Sequence, residues 1–311
     1  MERRNFIKKS LLATGSLALA DHFLHAKELS TFSSEKNVRA ETAQTLPVRK
    51  SIMWAGVRVP GSVLDKCKAI KAAGFEGIEP LSHVDRNEYI DAMKATGLVA
   101  GSVCNSKHWD VLMSHPDASQ RSQAIKEMIV AMEDAKAFGT DAVLLVPGRV
   151  NENVNYDDCW KRSTECIKEL VPVAEQMQIK IGIENVWNSF LLSPVEMRKY
   201  VEQFNSKFVG VYFDCGNILV YGWPEQWIKS LGSLIFRIHI KEFSKQIADK
   251  EGRSAGFRAK LTEGDVRWKE VMQEIRQNYK GVWLTTEQGS CSTLEELKDL
   301  NKRLDSILAL Y

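Results

Sequence analysis

Histidine and cysteine are scarce in this 311-residue chain, at six each, and neither sign of charge dominates. Lys and Arg number 42 against 40 Asp and Glu, a formal net charge of +2 with no sustained basic block. That balance argues against a nucleic-acid partner or another polyanion. The cysteines, at 67, 104, 159, 166, 215 and 291, are scattered and form no CxxC pair. No disulfide framework is implied, and most read as buried free thiols. Neither GxGxxG nor GxxxxGK[ST] occurs, which removes the nucleotide-binding forms of an open sheet.

At the N-terminus, Arg3-Arg4 and Lys8-Lys9 precede the apolar stretch Leu11–Ala20. This is a basic region followed by a short apolar one, with small-residue ends at Leu19-Ala20 and Ala26. Arg3-Arg4-Asn5-Phe6-Ile7-Lys8 resembles a twin-arginine export signal. The apolar stretch is shorter than the roughly 20 residues a spanning helix needs, so no stable membrane anchor is expected. Residues 1–26 are expected to be a cleavable signal directing the protein to the periplasm. Residues 27–48, polar and without period, read as a linker, and 49–311 as the folded domain.

From residue 50 the pattern alternates. Strands are predicted at 51–55, 75–81, 98–104, 142–148, 179–184, 208–214, 234–241 and 281–287. Helices are predicted at 61–73, 86–96, 118–138, 156–177, 193–204, 224–231, 266–279 and 293–310. Ser193-Pro194-Val195-Glu196 and Ser292-Thr293-Leu294-Glu295 look like helix starts with an acid a few residues in. Eight such units with near-continuous apolar strands predict an α/β chain folded as a (β/α)8 TIM barrel. A doubly wound open sheet is the competing architecture.

Four of the later strands end in groups that are costly to bury alone. Glu184 closes IKIGIE, Asp214 closes VGVYFD, His239 lies near the end of LIFRIHIK, and Glu287 closes GVWLTTE. Any one of them, taken singly, reads as a local ion pair or a helix cap. Two Glu, one Asp and one His at equivalent strand ends point instead to one divalent metal ion, Mn2+ foremost, with Mg2+, Co2+ or Zn2+ also suited. In a barrel, functional groups gather at that end of the strands.

Asn185, Asn188, Asn217, Lys241 and Glu242 stand beside these four and are expected to orient ligands or grip hydroxyls. Trp54, His108, Trp109, Trp187 and Phe190 are candidate pocket walls, His108 and Trp109 together with Arg149 as substrate contacts. His83 and His115 are given no role. Residues 242–265 read as a long loop whose Lys245, Arg253, Arg258 and Lys260 offer cations to an anionic substrate end.

The runs IENVWNSFLLSP, VYFDCGN, HIKEF, LTEGDVRW and TTE, in that order, resemble the xylose-isomerase-like barrels of sugar isomerases and epimerases. The similarity spans about residues 50–311 and is greatest to the branch of L-ribulose/L-xylulose-5-phosphate 3-epimerases and D-tagatose 3-epimerases. It implies that Glu184, Asp214, His239 and Glu287 hold the metal. It also implies that Glu184 and Glu287 form the acid–base pair on opposite faces of a ketose, acting through an enediolate, the substrate's stereochemistry deciding which of the two acts first. A small sugar is the implied partner, and a homodimer or homotetramer the implied assembly. Asn217 stands where the branch often has His, and Lys245 where it tends to have Arg, so the substrate is expected to differ. The alternatives are a keto-sugar lyase or hydratase using the same enolate, and a non-catalytic sugar-binding barrel. The related endonuclease IV uses a His-rich cluster of three metals, and only His83, His108, His115 and His239 lie beyond the leader here.

Overall fold

The computed structural model describes residues 48–311; the expected signal and nearly all of the expected linker lie outside the described residues. Nine strands form one parallel sheet: β1 Arg49–Met53, β2 Gly77–Glu79, β3 Val99–Ala100, β4 Val103–Cys104, β5 Ala142–Leu145, β6 Lys180–Glu184, β7 Val209–Asp214, β8 Ile235–Ile240 and β9 Trp283–Thr286. Their order is β3-β2-β1-β9-β8-β7-β6-β5-β4. The two ends, β3 and β4, are halves of the single strand predicted at 98–104, interrupted at Gly101-Ser102. Closure runs through that interruption. The Gly101 amide donates to the Ile78 carbonyl at 2.9 Å, the Cys104 amide to Pro80 at 3.0 Å, and Leu81 bridges Cys104 in parallel. The sheet is therefore an eight-membered barrel, and the open-sheet alternative falls away.

The interruption has a physical cause in Arg237, buried inside the barrel on β8. Its Nε donates to the Gly101 carbonyl at 2.8 Å, and its other nitrogens reach the Phe236 carbonyl and the Asp141 carboxylate. A ladder carbonyl captured by a guanidinium is lost to the neighbouring strand. Close by, Ser51 Oγ and Thr285 Oγ1 satisfy each other at 2.6 Å.

The apolar alternation divides the core in two. Ile52, Ile78, Val143, Ile181, Ile183, Val211, Phe213, Ile238, Ile240 and Leu284 pack against the helices. Met53, Cys104, Leu144, Val146 and Tyr212 form a smaller cluster within the barrel. Each fully buried aliphatic side chain contributes roughly 1.5–3 kcal/mol. In the last helix, Leu294–Leu308, such side chains recur as Leu297, Leu300, Leu304 and Ile307, one stripe at helical spacing.

Helices at 86–96, 156–177 and 224–231 match their expected bounds. Others are trimmed by their caps. Ser62 accepts from the Asp65 amide and starts its helix at Val63, while Ser193 accepts from Glu196 and starts the next at Pro194. Thr293 caps the last helix, but Glu296 rather than Glu295 completes its capping box. The strand expected at 51–55 stops at Met53 and passes into a 3-10 turn, Trp54–Gly56. The expected loop at 242–265 is instead partly helical, with an α-helix at Lys245–Glu251 capped by Ser244 and a 3-10 stretch at Arg253–Arg258. All six cysteines are buried and unpaired.

Candidate metal centre

Strand register assembles the four side chains. Glu184 ends β6 and faces Tyr212; Asp214 ends β7 and pairs with His239 on β8; Glu287 follows β9, its amide donating to the Ile240 carbonyl at 3.3 Å. Between β7 and β8 the register shifts: Val211 pairs with Ile235 but Tyr212 pairs with Arg237. An irregularity of this kind re-aims the side chains beyond it. One ligand atom from each of Glu184, Asp214, His239 and Glu287 lies within 4.8 Å of all the others. From His239 Nδ1 the distances are 3.4 Å to Glu184 Oε1, 3.4 Å to Glu287 Oε2 and 3.8 Å to Asp214 Oδ2.

His239 Nδ1 and Asp214 Oδ2 are buried and have no hydrogen-bond partner. Native interiors rarely leave such groups unsatisfied, and both point into the same cluster. Three carboxylates share the space with one imidazole and one lysine, so negative charge is in excess. Burial pushes Asp214 up to about 7 despite Lys241 nearby. Burial likewise raises Glu184, with the nearby His239 imidazole, 3.4 Å away, opposing it. Burial would also raise Glu287, but Lys241, at 2.9 Å, and His239 outweigh it and hold that carboxyl well below the usual range. A divalent cation fits this donor set: it would occupy the unsatisfied atoms and balance the charge.

Glu79, at the end of β2, was not singled out from the sequence. Its carboxylate lies 2.7 Å from His239 Nε2, and it accepts from Tyr212 Oη at 2.7 Å and from Ser102 Oγ at 3.0 Å. With Nε2 donating to Glu79, Nδ1 carries the lone pair and faces the three acids, as a metal-ligating imidazole must. The available signal was an acid at the carboxyl end of the apolar run FEGIEPL.

Glu184, His239 and Glu287 of the cluster line a cavity of about 240 Å³, with Asp214 buried behind them. Of the expected substrate contacts, His108, Trp109, Asn217 and Lys241 line it, together with Met53, Leu81, Asn105, Ser106 and Val186. His108 is held neutral by burial, which lowers it to about 4. Lys241 sits over the Phe257 ring, 4.5 Å from its centroid.

Several expected contacts do other work. Both amide atoms of Asn185 bond the Asp214 backbone at 2.8 Å, bracing β6 to β7 beneath the site. Asn188 donates to the Gly148 carbonyl at 2.8 Å and accepts from the Phe190 amide at 3.1 Å. Glu242 is turned away by strand alternation; its carboxylate accepts from the amides of Thr262 and Val266 and from Trp268 Nε1, tying down the segment after β8. Lys245 starts the helix in that segment and lies over Trp223, at 5.0 Å, outside the cavity lining. Arg149 is exposed and stacks on Trp109 at 5.1 Å, also outside it. Trp54 packs on Tyr89, and Phe190 on Tyr156 and Tyr200; both are core. Trp187 donates from Nε1 to the Asn217 carbonyl at 2.9 Å and backs the cavity rather than lining it.

An uncharacterized protein of Methanocaldococcus jannaschii is 28% identical over 159 residues, 49% of this chain and 52% of that protein, so the match spans about half the length of this relative. L-ribulose-5-phosphate 3-epimerase UlaE of Escherichia coli is 23% identical over 193 residues, 58% of this chain and 68% of its own. Among solved structures, D-psicose 3-epimerase from Clostridium cellulolyticum H10 superposes with a TM-score of 0.69 at 16% identity, covering 84% of this chain and 99% of that one. At that identity the superposition speaks for the fold. The model of the xylose isomerase-like TIM barrel family matches residues 66–307, and with the barrel and its strand-end cluster in place the chain belongs to that family.

Proposed function

We propose that the protein is a divalent-metal-dependent sugar epimerase or isomerase of the ketose 3-epimerase type. The observation that carries this reading is the convergence of Glu184, Asp214, His239 and Glu287 with two unsatisfied buried atoms at its centre. The epimerase names of UlaE and of D-psicose 3-epimerase support the same chemistry. A bound divalent cation, Mn2+ foremost, would supply a Lewis acid for the negative charge that develops when a proton leaves the carbon beside a ketose carbonyl. The chain's own residues move the proton. Glu184 and Glu287 stand on β6 and after β9, on either side of β7 and β8, so they reach a sugar in the cavity from different directions. One removes the proton and the other returns one to the opposite face. Their environments differ, Glu184 being raised by burial and Glu287 held ionised beside Lys241, as an acid and a base require. His108, neutral, and Asn217 offer hydrogen-bonding groups to hydroxyls, and Met53, Leu81 and Trp109 offer apolar contact to the ring.

The test is proton exchange. The protein with Mn2+ in D2O is incubated with ketoses, and the C3 proton is followed by NMR. Its loss in wild type, and its retention in Glu184→Gln and Glu287→Gln, is expected. Retention in wild type with every ketose, metal being bound, would sink the reading, whereas release of a leaving group would move it to a lyase. The twin-arginine pattern of residues 3–8 supports export to the periplasm, checked by fractionating cells that express Arg3→Lys/Arg4→Lys.

A further inference from the structure

A second groove, of about 430 Å³, lies between the loop after β7 and the segment after β8. Leu219, Tyr221 and Trp223 form one side, and Phe243, Lys245 and Arg253 the other. Tyr221 is 40% exposed and Trp223 46%. Large aromatics left together in water mark a contact surface more often than chance placement does.

The two cations are poised on ring faces. The Arg253 guanidinium lies 4.4 Å from the Trp187 ring centroid and 5.1 Å from that of Tyr221, and the Lys245 ammonium 5.0 Å from that of Trp223. Neither forms an ion pair among the described residues, whereas Arg237, Arg258, Arg267 and Arg303 each meet an acid. A guanidinium stacked on two rings is already ordered and keeps its N–H edge available for two parallel bonds to an anion. Asp249 also lines the groove, leaving two cations against one acid.

The metal cavity offers no such group. Lys241, its one lining cation, is committed to Glu287 and Asp214. Yet the two hollows share a wall. Asn217 lines the cavity and Leu219, two residues on, lines the groove; Trp187 carries Arg253 on its face and bonds the Asn217 carbonyl.

We propose that the groove is a separate subsite for an anionic sugar unit. The pyranose ring stacks on Tyr221 and Trp223, and its carboxylate or phosphate meets Arg253 and Lys245. Resting on the epimerase reading, the full substrate is then a saccharide of two parts, a neutral keto-sugar at the four ligands and an acidic unit in the groove.

The experiment titrates the full chain with methyl β-D-glucuronide, glucose 6-phosphate and methyl β-D-glucoside, read by saturation-transfer NMR and tryptophan fluorescence. Wild type is compared with Arg253→Gln and Trp223→Ala, each with and without chelator. The expected result is binding of at least one anionic sugar about ten-fold tighter than the glucoside, weakened about ten-fold in each variant, as loss of a charge-assisted bond or a stacked ring implies. The ranking of glucuronide and phosphate identifies the anion. Equal binding of all three sugars, or binding untouched by both variants, overturns the proposal. Groove binding is expected to survive chelation, so its failure is separable from failure of the C3 exchange test.

Discussion

Glu79 and His239 meet at 2.7 Å on the side of the imidazole ring opposite the three acidic candidate ligands. Tyr212 and Ser102 in turn hold the Glu79 carboxylate. The ring is thereby fixed in orientation and in tautomer before any cation arrives. Glu79→Gln should lower metal affinity roughly 10- to 100-fold, because the amide no longer enforces the tautomer. Tyr212→Phe should do the same more weakly, since it removes one bond to Glu79. Calorimetric titration of Mn2+ into the metal-free variants checks both; wild-type affinity in Glu79→Gln would contradict the assignment.

Proton and metal compete for Asp214. Its carboxyl is raised by burial to about 7 in the metal-free site, above its ordinary value of 3.8. A folded-state pKa above the unfolded one gives stability that is present below the unfolded value and lost as pH rises through the folded one. The metal-free protein should therefore lose stability between about pH 4 and 7 from this group. Over the same window the cation gains a fully ionised ligand. The separation between metal-loaded and metal-free melting temperatures should widen as pH rises from 5 to 8, reaching the stabilisation of about 2.7 kcal/mol that a hundred-fold excess of metal over Kd supplies. Thermal melts with Mn2+ and with EDTA across that range measure it, and a constant separation would count against Asp214 as a ligand.

The barrel floor makes a separate prediction. Arg237 satisfies the Gly101 carbonyl and pairs with Asp141, whose carboxyl burial would raise but which Arg237 and Lys180 hold below its usual range. Arg237→Met keeps the apolar stem but leaves the buried Gly101 carbonyl without its partner and the half-exposed Asp141 with Lys180 alone. The expected cost is about 1–3 kcal/mol, read from urea unfolding. Mn2+ affinity should change far less than stability does, because Arg237 bonds the Gly101 and Phe236 carbonyls and Asp141 and none of the four cluster residues.

The barrel and the four-residue cluster were legible because both follow from strand period and strand ends. Alternating apolar positions announced where each strand lay, and a charged residue at its carboxyl end announced the site. Glu79 escaped because its partner, His239, lies 160 residues away and only closure of the barrel joins them. Asn185 and Asn188 shared the strand-end signal yet serve the backbone, since an amide beside a ligand braces loops as readily as it binds sugar. Lys245 lies outside the cavity because a helix at Lys245–Glu251 turns the segment aside, which local polarity did not reveal, and Glu242 because strand alternation turns it away. The split at Gly101-Ser102 depends on Arg237, distant in sequence, and no local pattern marks it.

The cavity lining bears on phosphate as a substrate group. UlaE carries a pentulose phosphate in its name, yet here the one lining cation, Lys241, is already bound to Glu287 at 2.9 Å and lies 3.8 Å from Asp214. A phosphate placed in the cavity would bring about two more negative charges against three carboxylates, with no free cation to receive it. Freeing Lys241 to meet the phosphate would strip Glu287 of the partner that holds it ionised. A neutral ketose has no such conflict, and 240 Å³ is ample for one sugar ring. Free ketoses should accordingly undergo C3 exchange with at least ten-fold higher kcat/KM than their 5-phosphates, a difference of about 1.4 kcal/mol in transition-state binding. Lys241→Met should depress exchange with every ketose, because the acid limb of the pH–rate profile moves upward as Glu287 loses its counter-charge. Paired exchange rates for L-ribulose and L-ribulose 5-phosphate decide the matter: preference for the phosphate would mean that Lys241 leaves Glu287 when substrate binds.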